Sequence, residues 1–186
     1  MNRDYNILVN ENHPLPSNYK PNDLVRVENE KDLIFPMKIS LVLYDKFLQL
    51  REELLTHGFK LCINSGFRSY QMQQIYWHGY KAKYGLEYVK SSVAYPGTSE
   101  HQTGLAVDFA KKEDGRTVSL TEQEYEILRK TAPQFNLIKR YDGTTGIKNE
   151  PWHFRYLTED VIEELVDKGY TLEKYYEEKE KEGKTR

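Results

Sequence analysis

Three side chains carry the first chemical reading: His101 and Asp108 in SEHQTGLAVDF, and His153 in EPWHF. Two imidazoles and one carboxylate suit zinc and leave its fourth position open. An open position separates a catalytic zinc from a closed structural one. Glu150 stands three residues before His153. It is the candidate base for a proton from water that such a metal acidifies to a pKa of about 7. The expected cofactor is one Zn2+ per chain. Taken singly, His101 reads more readily as a loop histidine, and Asp108 as the partner of a core arginine, than either does as a ligand. The joint pattern SxHxxGxAxD with ExxH is far more selective than its parts.

The elements around these residues must bring distant segments together. Gly104 opens LAVDF, where alternation puts Leu105, Val107 and Phe109 on one face and Ala106, Asp108 and Ala110 on the other. Two flanking alanines leave clearance around the carboxylate. KKEDGR suggests a hairpin turn. FNLIKRY and WHFRYL read as strands flanking DGTTGI. Strict alternation would separate Glu150 from His153. Pro151 cannot donate to a sheet ladder, so the strand is expected to begin after Glu150, with a turn swinging its carboxylate towards the metal.

Leu43, Phe47, Leu50 and Leu54 recur at helical spacing, and Gly58 ends that helix. FKLCINSGF follows as a strand with Cys62 as a buried thiol. Ser69 caps a helix over 70–84 that Gly85 closes. Residues 86–100 read as a long loop. Thr121 and Glu124 form a capping-box pattern for a helix reaching Thr131. Thr158 caps a further helix that stops at Gly169. Residues 1–36, with Pro14, Pro16, Pro21 and Pro36, read as an extended arm over one domain spanning 1–186. Residues 172–186 read as a charged helix or tail with a frayed, exposed end. The fold class expected is α+β: a small antiparallel sheet flanked by helices.

The chain has 186 residues and a net charge of −2. No basic field exists to draw nucleic acid. The single cysteine excludes an internal disulfide. The N-terminus lacks a signal-peptide core, and no stretch is apolar enough to span a bilayer. The expectation is a cytoplasmic protein without a membrane anchor. Fifteen tyrosines raise carbohydrate stacking, but their scatter favours a role in the core. His57, His78 and His13 read as surface residues, and Trp152 as a wall of the cleft or core.

The motifs SGFRSYQMQQIYW (65–77), PGTSEHQTGLAVDF (96–109) and EPWHFRY (150–156) resemble, in order, those of the zinc D-Ala-D-Ala carboxypeptidases and dipeptidases, the VanY, VanX and VanXY group. The resemblance covers about half the chain and implies that group's metallopeptidase (Hedgehog-like) fold. By the same resemblance His101, Asp108 and His153 are zinc ligands, and Glu150 is the catalytic base. Arg68 polarises the scissile carbonyl, while Ser99 and Gln73 contact substrate polar groups. The cytoplasmic VanXY branch is the nearest match. It implies a small peptide substrate ending in D-Ala-D-Ala, action on the dipeptide and on pentapeptide precursors, and a part in vancomycin resistance. An L,D-carboxypeptidase trimming tetrapeptides and a noncatalytic zinc or cell-wall-peptide module are the alternatives. The region 111–149 is expected to shape substrate preference.

Overall fold

The computed structural model describes residues 3–27, 37–145 and 147–184. The expected arm over 1–36 lies outside these in its last part, including Pro36. The described part of the arm contains a strand, β1 (Leu24–Arg26), which pairs antiparallel with β2 (Lys38–Ser40). Helix α1 (Leu41–Thr56) follows directly and buries Leu43, Phe47, Leu50 and Leu54, the four residues that the spacing singled out. Strand β3 (Lys60–Ser65) then enters the main sheet, with Cys62 buried in it.

That sheet is antiparallel with the order β3-β4-β7-β6. Its centre is β4 (Ala106–Glu113), flanked by β3 and by β7 (His153–Tyr156); β6 (Leu137–Lys139) forms the far edge. The KKEDGR turn makes a hairpin from β4 to β5 (Arg116–Val118), with Asp114 and Gly115 both at positive φ. One face of the sheet packs on α1. Val107 and Phe109 of β4 meet Phe47, Leu50 and Leu54 there in the main apolar cluster, together with Phe154 of β7.

The caps follow the sequence closely. In α2 (Tyr70–Tyr84), the Ser69 hydroxyl accepts from the Met72 amide at 3.1 Å. In α4 (Glu122–Thr131), Thr121 and Glu124 exchange both bonds of the capping box. Three expectations change. Residues 86–100 are not one loop: α3 (Leu86–Ser92) forms around the buried Val89, and Glu100–Thr103 make a turn of 3-10 helix. Thr158 precedes α5 (Glu159–Lys168) without a side-chain cap, because its hydroxyl and amide are engaged by Asn6 of the arm. The charged C-terminal stretch is a helix, as one of its two readings had it, α6 (Leu172–Lys184), but it is not wholly solvated: Leu172, Tyr175 and Tyr176 pack with Leu8, Val161 and Leu165 in a second apolar cluster. Residues 185–186, at the end expected to fray, lie outside the described residues.

The arm is tied down by cations. Arg155, fully buried, donates to the carbonyls of Tyr5 and Ile7 at 3.3 and 3.0 Å. Arg3 bonds Asp23, Ser40 and the Thr103 carbonyl. Among the described residues no helix is long and apolar enough to cross a membrane.

Leu54 is fully buried between α1 and the sheet. Leu54→Ala is therefore expected to lower unfolding stability by about 2–5 kcal/mol, the range for a cavity in a packed core. Urea denaturation followed by circular dichroism measures it.

Candidate active site

The site grows from one feature of strand register. Asp108 of β4 is the direct cross-strand partner of His153 of β7. Side chains opposite one another in an antiparallel pair share a face and stand close together. Asp108 Oδ1 lies 3.1 Å from His153 Nδ1. On the other flank Ser65 pairs with Asp108, after a bulge that breaks the register between Ile63 and Ser65. A bulge bends the strand that carries it, here at the end of β3. There the Gly66 carbonyl receives His101 Nδ1 at 2.8 Å. His101 itself rides on the 3-10 turn, which ends at Gly104 with φ +68. Its Nε2 faces Asp108 Oδ1 at 3.4 Å.

His101, Asp108 and His153 thus converge, their ligand atoms all within 4.8 Å of one another. The second nitrogen of each imidazole is already spoken for. His101 Nδ1 donates to Gly66, and His153 Nε2 donates to the buried Glu100 carboxylate at 3.0 Å. Those bonds leave His101 Nε2 and His153 Nδ1 as the nitrogens facing the same point as Asp108, and a metal there would take the place of the His153 Nδ1 proton. Hydrogen bonds of this kind fix the tautomer and orientation of metal-ligating histidines. Two imidazoles and one carboxylate in such an array are a donor set that fits zinc with one position left over.

The electrostatics agree. Burial, aided by Arg68, lowers the His101 pKa to about 4 and keeps the imidazole neutral. Burial would raise Asp108, but the two histidines outweigh it and hold the carboxyl well below its usual range. Burial would lower His153, but Asp108 and Glu100 raise it to about 9. In the metal-free protein that imidazole carries the compensating positive charge, the place a metal cation would take.

Glu150 sits in the turn before β7. The His153 amide bonds its carbonyl at 3.2 Å, and its own amide bonds the Tyr141 carbonyl at 3.1 Å. Its carboxylate reaches to 3.9 Å from His153 Nδ1, so the strand does start beyond it and the turn does aim it inward. Burial raises its pKa, with Asp108 and Glu100 adding to the effect. Arg68 approaches from the segment before α2, its guanidinium stacked over Tyr76 at 5.0 Å and its buried Nε without a protein partner. Ser99 and Gln73 are both buried at the cleft wall. Gln73 Nε2 donates to the Ala94 carbonyl at 2.8 Å, while its Oε1 has no partner.

All seven of these residues line one cleft of about 530 Å³. Among the described residues of the region 111–149, those that contribute to it are Tyr141, Ile147, Lys148 and Asn149, at its end. Trp152 is a cleft wall, 40% exposed. His57 and His78 are exposed, as read from the sequence, and exposed His13 has a partner in Asn10 at 3.0 Å.

Sequence reasoning missed the support behind His153. Glu100 has no exposed side-chain surface. It accepts from Arg140 Nε at 2.8 Å, and Arg140 in turn forks onto Glu173 of α6 at 2.7 and 3.2 Å. Burial pushes the Glu100 pKa up, but Arg140 and His153 outweigh it and keep the carboxylate charged. Tyr141 stacks on His153 with ring centroids 4.6 Å apart. The one available signal was a glutamate inside the SEH motif, and its burial could not be read from neighbours in sequence.

The architecture and the ligand geometry define the class: an α+β metal-dependent hydrolase site. The chain belongs to the VanY family of D-alanyl-D-alanine carboxypeptidases, whose model matches residues 37–159. It is 32% identical over 184 residues to the putative carboxypeptidase YodJ of Bacillus subtilis, covering 94% of this chain and 67% of that longer one. It is 30% identical to the bifunctional D-Ala-D-Ala dipeptidase and carboxypeptidase VanXYC of Enterococcus gallinarum, covering 91% of this chain and 92% of that one. Among solved structures it resembles a D,D-pentapeptidase VanY mutant in complex with Zn(II), at TM-score 0.78 and 29% identity over 92% of this chain and 98% of that one. It resembles the LD-carboxypeptidase LdcB at TM-score 0.79 and 32% identity, over 91% and 84%. The expected fold is the one these neighbours share.

Two outcomes test the site. Glu100→Ala is expected to weaken zinc binding by about 10–100-fold, the usual cost of losing a partner behind a ligand; Glu100→Gln, which still accepts from the imidazole, is expected to lose less. Competition with a chromogenic chelator reads both. In Gly66→Ala the new methyl would stand 2.7 Å from the Lys38 carbonyl and 2.9 Å from Ile39. The strand end must shift and carry the His101 partner with it, so zinc affinity is expected to fall in that variant too.

Proposed function

We propose that this protein is a zinc-dependent D,D-peptidase acting on peptides that end in D-Ala-D-Ala, with His101, Asp108 and His153 as the metal ligands. The observation that carries the reading is the meeting of those three donors with Glu150 and Arg68 in a single cleft. A bound zinc supplies Lewis-acid activation of the attacking water and of the scissile carbonyl.

The protein's own groups do the rest. Glu150 takes a proton from the attacking water as its oxygen adds to the carbonyl carbon. The same carboxyl then gives the proton to the departing amine as the C–N bond breaks. Its raised pKa suits both duties. The Arg68 guanidinium, which lies over the Tyr76 ring, faces the carbonyl oxygen as charge builds on it. Ser99 and Gln73, whose Oε1 has no protein partner, bond polar groups of the substrate.

Cleavage of the free dipeptide as well as the pentapeptide precursor, a cytoplasmic setting and a part in glycopeptide resistance form the finer reading. Its support is the likeness to the bifunctional enzyme of Enterococcus gallinarum. The second reading, an L,D-carboxypeptidase, draws on the likeness to LdcB. A noncatalytic module has no use for a buried base and an arginine facing the same donors.

Glu150→Gln is expected to lower kcat by about 10²–10⁴ while zinc stoichiometry is unchanged. Arg68→Ala is expected to cost about 10²–10³ in kcat. D-alanine release from the dipeptide, a pentapeptide and a tetrapeptide, with and without chelator, is the assay. Activity on the tetrapeptide alone would select the L,D reading, and activity that survives metal removal would reject the zinc.

A further inference from the structure

One buried ring at the cleft has no part in the steps above. Tyr141 is 5% exposed and lines the cleft. Its ring stacks on the His153 imidazole, with centroids 4.6 Å apart and planes 29° from parallel. Aromatic pairs favour such separations. The Arg140 guanidinium lies over the same ring, 5.3 Å from its centroid. Arg140 also donates to Glu100 at 2.8 Å, and Glu100 accepts from His153 Nε2 at 3.0 Å. His153, Tyr141, Arg140 and Glu100 thus form a closed circuit of side chains.

The circuit bears on the metal site through ring orientation. An imidazole binds a metal in the plane of its ring, so the tilt of His153 decides where Nδ1 points. The Glu100 bond holds the other nitrogen. A hydrogen bond tolerates bending of about 30° before it weakens much, so that bond alone leaves the ring able to tilt. A flat ring against the imidazole face removes this freedom. An aliphatic chain of similar bulk would fill the space without defining a plane.

The same residue is joined to the base. The Tyr141 carbonyl accepts from the Glu150 amide at 3.1 Å, and the neighbouring Arg140 amide donates to the His153 carbonyl at 3.2 Å. Residues 140–141, directly after β6, therefore hold the main chain of the turn that carries Glu150 and of the strand that carries His153. Ligand and base are referred to one point. Misplacing a reacting group by about 1 Å can cost about 10²-fold in rate.

We propose that Tyr141 is a positioning residue of the metal site, its ring setting the plane of the His153 imidazole and its carbonyl the turn that carries Glu150. This rests on the zinc-peptidase reading above and adds to it a residue that acts through His153 rather than on the substrate.

The test uses the full chain and two variants. Tyr141→Phe keeps the ring face and loses the hydroxyl; Tyr141→Leu keeps apolar bulk and loses the face. Zinc affinity is read by chelator competition, and kcat and KM at saturating zinc on a pentapeptide ending in D-Ala-D-Ala. Tyr141→Leu is expected to weaken zinc about tenfold, the low end for a lost partner behind a ligand, and to lower kcat about tenfold with KM unchanged. Tyr141→Phe is expected to match the wild type in all three. A Phe variant as impaired as the Leu variant would give the role to the hydroxyl and overturn the proposal. So would a folded Leu variant with wild-type zinc affinity and kcat, whatever its melting temperature, since a ring that only fills space would act on stability alone. If Tyr141→Leu does not fold, Tyr141→Met, a flexible gap-filler without a flat face, replaces it with the same expectations. Nuclear magnetic resonance of the metal-free wild type reads the stack itself: the His153 ring protons are expected upfield, in the Tyr141 ring current, and unshifted protons would reject it. A wild type that binds zinc but cleaves no such peptide would end the peptidase reading alone, and the zinc affinities would still decide Tyr141. A wild type that takes up no zinc would end both.

Discussion

The pairing of β4 with β7 is the constraint from which the site follows. Because Asp108 stands opposite His153 in that ladder, a carboxylate and an imidazole are pressed together before any ion arrives. A slip of one residue would turn one of them into the apolar cluster beneath the sheet. The slip is prevented by the other face of the same strands, where Val107, Phe109 and Phe154 pack on α1. The core thus sets the register, and the register brings the candidate ligands together.

Holding this much charge out of water needs a matching arrangement of partners. Glu100, Arg140 and Arg155 are all essentially buried. Each side chain is met: Glu100 by His153 and Arg140, Arg140 also by Glu173, and Arg155 by Thr103 and the arm carbonyls. The chain from His153 through Glu100 and Arg140 ends on α6, so the last helix is coupled to the orientation of a ligand far from it in sequence. The arm does the same on the other side, through Arg3 and the carbonyl of Thr103 in the turn that carries His101. Segments that look like terminal decoration therefore brace the site.

Much of this was legible in the sequence wherever one local rule decided the outcome. Four apolar residues at helical spacing specified α1, and Ser69 with Gly85 bounded α2. Pro151 correctly marked where β7 could not begin, which explains how Glu150 and His153 share a side. The illegible parts depend on partners distant in sequence. Nothing in LEYVKSS distinguishes a short helix from a loop except Val89 finding an apolar seat. The charged tail looked solvated because Leu172, Tyr175 and Tyr176 bury only against α5 and the arm. The tyrosines looked scattered along the chain, yet Tyr76, Tyr80, Tyr84 and Tyr88 meet on one surface. Glu100 was hidden for the same reason: its significance lies in Arg140, forty residues away.

The central claim is that one zinc ion is held by His101 Nε2, His153 Nδ1 and the Asp108 carboxylate. X-ray absorption at the zinc edge of the metal-loaded protein tests it most directly. The predicted spectrum is a first shell of nitrogen and oxygen only, at about 2.0–2.2 Å, with outer-shell scattering from two imidazoles. A sulfur shell at about 2.3 Å, or a spectrum with no imidazole signature, would contradict the account.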